Sequence, residues 1–499
     1  MESMVATQSN SEAAPPPLEA DDDAPAQGLK GRLGVGSIVF SVVAFAAPLL
    51  VVVGLMPSVI GFAGYAIVPA YAMIMLIVLL FAFGYATMTR YVNRPGAFYA
   101  YITAGLGRRV GLGGAFVALF GYLLLALPTW IAFGVYVWQL MTDTFHGPDI
   151  PWYVWALVGA ALTGIFSYRH IEFSAKVLGV ALGLEVLLVI AFDTVAFVDG
   201  GPGGVPVRPL TAGAVTDGGF GLALLFGMLC FIGFESAAIY REEAKDPEKT
   251  VPRATYLSVI LIGVFYVIAA WAFLTALGPD GVAGAAKADP ASLFGETAAR
   301  YLGTVLPDVI KVLVITSTFA CLLAQHNTIS RYGFSLGKDG VFPSRFGAAH
   351  PRHHSPHIAS MVVTVLTLVT VFALAAVTGF ENDGTNAFTI YIRTNGLGAM
   401  IVIFLMCLVS IAIIAYFAKN RVDTPARVWK TIVAPILGLI GLLIILVLSV
   451  VHVDTLIGAG EMASLLMTLL LPVVLIAGIA YASHLARAKP DVFTRIGRQ

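Results

Sequence analysis

The chain has 499 residues, 58% of them hydrophobic and only 12% charged, with a mean hydropathy of +0.88. That leaves too little polar surface to cover a soluble globule, so the composition is that of an integral membrane protein. A formal net charge of zero supplies no basic footprint for nucleic acid.

In chain order, residues 1–32 contain Pro15, Pro16 and Pro17 and Asp21, Asp22 and Asp23 and no apolar run. They read as a disordered tail rather than a signal peptide. A bilayer core of roughly 30 Å needs about 20 apolar residues per helix. Windows of that kind fall near 35–60, 64–89, 112–142, 151–169, 175–198, 219–240, 253–277, 304–334, 356–379, 386–417, 427–452 and 461–486. The fold expected is therefore an all-α integral membrane protein of twelve transmembrane helices, followed by a polar tail at 487–499. Basic residues sort between alternate loops. One set holds Arg90, Arg94, Arg108, Arg109, Arg241, Lys245, Lys249, Arg253 and others like them, while the opposite set holds only Arg208, Lys287, Arg300, Lys311 and Arg393. The positive-inside rule places both termini in the cytoplasm, and an even number of crossings agrees in putting them on one side.

Two of the spans are interrupted. The first carries Pro48, Gly54 and Pro57, and the sixth carries Gly227 and Gly233. Proline removes a backbone donor and glycine lowers the cost of leaving helical geometry. Backbone groups freed at membrane depth persist only where they face protein or a wet cavity, and a substrate or ion can satisfy them. The alternative at the first span is a simple proline kink. The sixth span also carries Glu235 and runs directly into a charged loop, in FIGFESAAIYREEAKDPEKTVPRA (Phe231 to Ala254). An ionisable side chain in a loosened membrane helix is a functional-site hypothesis by default. Phe231 and Phe234 either close over a substrate or pack between helices.

Other polar residues admit structural readings. His326 has the titration range of a proton relay but equally suits an interhelical hydrogen bond, and Arg393 has Glu381 and Asp383 as nearby partners in sequence. His350, His353, His354 and His357 cluster in a loop, yet no cysteine or carboxylate completes a metal set, so no metal and no cofactor is expected. Cys230, Cys321 and Cys407 lie in apolar segments and read as small packing residues. No nucleophile constellation and no phosphate-cradling loop is present in the sequence, so an enzyme is not expected.

Four motifs resemble one family of membrane proteins. NRPGAFYAYITAGLG (Asn93 to Gly107) is similar to its re-entrant loop, SAKVLG (Ser174 to Gly179) to the start of its fifth span, FIGFESAA with EEAKDPEKTVPRA to its sixth span and following loop, and NTISRYGFSLGKDGVFP (Asn327 to Pro343) to the exit of its eighth. The family is the amino acid-polyamine-organocation superfamily. The resemblance implies a transporter core over 33–420, with helices one to ten in a five-plus-five inverted repeat and helices one and six broken. Residues 421–486 would then form two appended helices. It implies a secondary active importer of an amino acid or related organic amine, working by alternating access in the cytoplasmic membrane. Its partners would be the lipid bilayer, the small solute and H+, as a monomer or homodimer.

The resemblance also assigns residues. Substrate would meet Ala47, Pro48, Leu49, Val53 and Gly54 on helix one and Phe231, Ile232, Gly233 and Phe234 on helix six. Amide donors at a half-helix start suit an anion, and exposed carbonyls suit an ammonium. Glu185 and Glu235 would couple transport to protons, since burial disfavours the charged form of a carboxyl group. Glu185 falls where many relatives place a lysine. Thr318 and Cys321 would lie at the position of a cation-like site. Helix one departs from the family pattern, offering AFAAPLLVVVG where amino-acid carriers usually show a glycine-serine-glycine run. That departure keeps a polyamine or ethanolamine-type amine permease open, and a non-transporting nutrient sensor is the reading from another class.

Overall fold

A computed structural model of the chain describes residues 33–92, 98–169, 172–216, 219–285, 290–350, 355–377, 380, 384–420 and 428–497. The tail expected at 1–32, the start of the Asn93 motif, and Glu381, Asp383, His353 and His354 lie outside the described residues.

The described chain is helical, and its sole β-type pairing is one isolated bridge between Leu33 and Ala244. Helix α1 (Val35–Ala46) ends at Ala47, whose left-handed φ of 45° and ψ of 65° break the helix. A single turn (Pro48–Leu50), a π-helical turn (Val51–Leu55) and α2 (Met56–Ala63) follow. Gly64, at φ 53° and ψ −126°, separates α2 from the next long helix, α3 (Ile67–Tyr91). Then come α4 (Phe98–Leu106), α5 (Arg108–Gln139), α6 (Trp152–Arg169) and α7 (Glu172–Asp199). Helix α8 (Phe220–Leu229) stops in a turn at 230–233, and a 3-10 helix (Phe234–Glu243) carries the chain onward. The remaining long helices are α9 (Pro247–Gly284), α10 (Pro290–Leu302), α11 (Leu306–Lys338), α12 (His357–Val377), α13 (Gly384–Lys419) and α14 (Ala434–Val451). The chain closes with α15 (Glu461–Thr468), α16 (Leu470–Ala488) and the short α17 (Pro490–Arg495).

Ten of the described stretches are long and apolar enough to cross a membrane, the first of them 57 residues long, and Trp152–Tyr168 is a shorter apolar helix. Their outward faces are apolar too. On α12, Val365, Val369 and Phe372 are each more than half exposed, as is Val447 on α14. Exposed apolar faces of this kind are stable against lipid rather than water.

Helix α5 runs through the middle, packing against α13, α16, α4 and α6, while α3 packs against α9 and α14. Small residues permit the closest approaches, which is how membrane helices associate without a hydrophobic driving force between them. One of them is at Gly105 of α4, where a Cβ would sit 2.1 Å from the backbone oxygen of Ala412 on α13. Gly227, read from sequence as one of the loosening residues of the sixth span, stays helical inside α8. It lets the Tyr71 ring approach, a Cβ there falling 2.7 Å from that ring.

Candidate functional site

The two interruptions face one another across a single cavity. Its volume is about 80 Å³, and its walls come from five segments. Phe45, Ala46, Ala47, Leu50, Val51 and Leu55 form the wall at the break after α1, and Leu229 and Ile232 form the wall at the break after α8. Leu125, Pro128 and Thr129 of α5, Cys321 and Gln325 of α11, and Tyr391 and Asn395 of α13 close it. A cavity needs only about 10–15 Å³ of such volume to admit a water, so this one admits a small solute. Among the described residues, no charged side chain lines it.

Each break is held by specific partners. After α1 the Ala47 N–H reaches back to the oxygens of Val43 and Ala44, both at 3.2 Å. The carbonyl of Phe45 accepts from the Cys321 thiol at 3.0 Å, and that of Ala46 from the Tyr266 hydroxyl at 3.3 Å. Two carbonyls near the break are thus satisfied by other helices. After α8, Gly233 adopts φ 119°. Its N–H donates to Glu235 Oε2 at 2.8 Å, and its carbonyl accepts from the Ser236 hydroxyl at 2.6 Å. The Tyr122 hydroxyl of α5 donates to Glu235 Oε1 at 2.9 Å, and the Tyr85 hydroxyl of α3 donates to the Glu235 carbonyl at 2.7 Å. Glu235 is buried, and these bonds tie the interrupted helix to α3 and α5.

Of the residues singled out for substrate, Ala47 and Ile232 line the cavity, as does Cys321 from the cation-like pair. Pro48, Leu49, Val53, Gly54, Phe231, Gly233 and Phe234 do not. Phe231 stands edge-on to Tyr71 and Tyr266, and Phe234 edge-on to Phe81. Both rings pack between helices. Thr318 is buried and donates to the Val314 carbonyl of its own helix at 2.6 Å. Glu185 lies buried on α7 beside Thr316 and Ser317 of α11, the Thr316 hydroxyl reaching its Oε1 at 3.3 Å. His326 bonds the Ser360 hydroxyl of α12 at 3.0 Å, the interhelical role considered for it.

The charges of the loop after Glu235 have a structural role that their spacing does not display. Arg331 of α11 donates to both oxygens of Glu243, at 2.7 and 3.0 Å, with both side chains less than a tenth exposed. The guanidinium also lies 4.7 Å from the Tyr240 ring centroid. Lys338 reaches Glu242 at 3.4 Å, and Leu33 exchanges backbone bonds with Glu243 and Lys245 at 2.7 and 2.9 Å. The far end of the interrupted helix is thereby fastened to α11 and to the entry of α1. Sequence reasoning also passed over Thr129, Tyr391 and Asn395, which line the cavity, and Asp193, a buried carboxylate two turns beyond Glu185 whose Oδ1 has no protein partner. A lone aspartate in an apolar run was the available signal for Asp193; Thr129 and Tyr391 carry none that separates them from packing residues.

Comparison with known proteins places these features in a family. The amino acid permease family profile matches residues 38–492. The low-affinity putrescine importer PlaP of Escherichia coli (strain K12) is 26% identical over 326 residues, covering 63% of this chain and 69% of that protein. The Asc-type amino acid transporter 1 of Mus musculus is 28% identical over 295 residues, 57% of this chain and 54% of its own length. The branched-chain amino acid permease BcaP of Lactococcus lactis subsp. cremoris (strain MG1363) is 25% identical over 342 residues, 65% and 72% respectively. With the profile spanning nearly the whole helical bundle and its central cavity, the chain belongs to the amino acid permease family of the amino acid-polyamine-organocation superfamily, a membrane transporter of amino acids or amines and not an enzyme.

Proposed function

We propose that this protein is a secondary active transporter that imports an amino acid or related organic amine by alternating access, coupled to protons. The observation that carries the reading is the single cavity shared by the two interrupted helices. Interrupted helices at corresponding positions of two repeats, facing one midplane site, are the working arrangement of such carriers. On this reading the chain crosses the cytoplasmic membrane twelve times, the 57-residue stretch counting twice across Gly64 and Trp152–Arg169 counting once. Residues 33–420 form the five-plus-five repeat, 421–486 are appended, and both termini, including 1–32 and 487–499, are cytoplasmic. The cavity walls then come from helices one, three, six, eight and ten.

Ala47 and Ile232 touch the solute from opposite walls. Pro48, Leu49, Val53 and Gly54 shape the first break, and Phe231, Gly233 and Phe234 hold the second. Glu185 and Glu235 are the proton-coupling groups, and Thr318 with Cys321 marks the cation-like position. Transport is expected from a monomer or a homodimer.

A second reading, an amine permease or exchanger, draws support from the putrescine importer among the relatives and from the absence of a glycine-serine-glycine run in AFAAPLLVVVG. A non-transporting sensor is the reading from another class. Counterflow into proteoliposomes separates all three: a panel of amino acids, putrescine and ethanolamine is offered with and without an inward proton gradient. Uptake of an amino acid that rises with the gradient is the expected result. Amine-only exchange favours the second reading, and no exchange of any solute sinks transport.

A further inference from the structure

Among the described residues the cavity carries a few polar but no charged side chains, and one of its polar groups lacks a partner. Gln325 is 5% exposed and lines the cavity, and its Oε1 accepts no hydrogen bond from the protein. The orientation of that amide follows from its neighbour. The Thr129 hydroxyl has a single hydrogen, which goes to the Leu125 carbonyl at 3.1 Å. Thr129 Oγ1 therefore serves as the acceptor for Gln325 Nε2, at 3.3 Å. With the amide in this orientation Oε1 is the atom left over; turning it over would require the Thr129 hydroxyl to leave Leu125. A buried acceptor without a donor is costly, and a ligand that supplies N–H groups relieves that cost.

The remaining walls limit which ligand can do so. Leu50, Val51, Leu55, Leu125, Leu229 and Ile232 give an apolar lining. Glu235, whose oxygens are engaged by Gly233 and Tyr122, is not among the lining residues. A diamine entering this space would bring two ammonium groups with no carboxylate to meet either, and the desolvation of each would go uncompensated. An α-amino acid carries its own counter-charge.

We infer that the cavity selects a net-neutral α-amino acid with a small apolar side chain over cationic amines, and that Gln325 is the specificity-determining residue, its Oε1 accepting an ammonium N–H of the solute. This rests on the cavity being the substrate site proposed above. A carboxylate at the same position would supply the missing counter-charge, so Gln325→Glu should turn the preference toward amines. Gln325→Met keeps the bulk, removes the acceptor, and should weaken neutral amino acids without helping amines.

The test is competition counterflow in proteoliposomes with labelled alanine, valine, putrescine and ethanolamine, each variant judged by its amine-to-amino-acid ratio, which does not depend on the fraction of protein folded. Ile232→Trp, which fills the cavity, serves as the control for the underlying reading. Wild-type protein is expected to favour valine or alanine over putrescine by about tenfold or more, the scale of one unmet buried polar group. Gln325→Glu is expected to shift the ratio toward putrescine by a similar factor. Wild-type preference for putrescine overturns the selectivity, and an unchanged ratio in both Gln325 variants overturns the role of Gln325. If Ile232→Trp transports like wild type, or wild type transports nothing, the cavity is not the transport site and both readings fall. A blocked Ile232→Trp with unaltered Gln325 variants removes only the inference made here.

Discussion

Replacing Gly233 by alanine should undo the interruption after α8, and the structure sets the size of the effect. Gly233 holds φ at 119°, a region that side-chain-bearing residues rarely adopt. Forcing an L-residue to a positive φ costs about 1–2 kcal/mol. A Cβ there would also lie 2.5 Å from Cδ1 and 3.0 Å from Cγ of the Phe45 ring. Phe45 belongs to the cavity wall at the other break, and the ring cannot retreat without moving that wall. Overpacking of this kind adds about 1–3 kcal/mol. Together they disfavour the interrupted conformation by roughly 2–5 kcal/mol, or roughly thirtyfold to a few thousandfold in population. Thermal unfolding of the detergent-purified variant reads the stability, and counterflow reads the consequence for transport, which should be largely lost. Combining Gly233→Ala with Phe45→Leu should recover the steric share and leave the dihedral share, giving a coupling of about 1–3 kcal/mol in the double-mutant cycle. Stability within about 0.5 kcal/mol of wild type, with normal exchange, would refute the claim that this backbone geometry is both strained against side chains and needed.

The buried pair of Arg331 and Glu243 should show the asymmetry of desolvated charges. Glu243→Gln alone leaves a guanidinium unmatched and should cost about 3–5 kcal/mol, whereas Glu243→Leu combined with Arg331→Met should cost far less; equal losses in melting experiments would contradict this. Gly105→Ala should force α4 away from Ala412 of α13, lowering stability by about 1–3 kcal/mol or more, while Gly36→Ala, whose Cβ meets nothing within 4 Å, should be neutral. Size-exclusion survival after heating distinguishes the two, and indistinguishable variants would count against the packing. Glu185→Gln should retain exchange but lose its response to a proton gradient, and wild-type gradient dependence would remove Glu185 from the coupling role. Glu235→Gln should alter the pH profile of exchange, and an unchanged profile would return Glu235 to the purely structural role that its bonds to Gly233 and Tyr122 describe.

Much of the architecture was legible in the sequence because a bilayer imposes its demands locally. Apolar length, and proline and glycine inside apolar runs, are properties of neighbouring residues, so the helices and the departure at Gly233 could be placed before any fold was known. The first break was legible only as a region. Pro48, Gly54 and Pro57 marked it, yet the residue that leaves helical space is Ala47, left-handed at φ 45°. The resemblance to the family pointed to the two breaks, and the cavity does join them. It did not separate wall from support: Ala47 and Ile232 face the cavity, while Phe231 and Phe234 pack into helices.

What the sequence by itself determined is that the chain is a bundle of apolar helices, that two of them are weakened near their middles, and that acidic residues are buried among them. These follow from composition and short-range pattern, which act over a few turns. Only the tertiary structure decided which polar atoms meet. Glu235 accepts from Gly233 and Tyr122, Glu243 closes on Arg331 at a separation of 88 residues, and Gln325 is left with an unpartnered oxygen because Thr129 has spent its hydrogen on Leu125. Such pairings depend on the approach of helices remote in sequence, and in a medium without water it is those approaches that determine which groups remain for a solute.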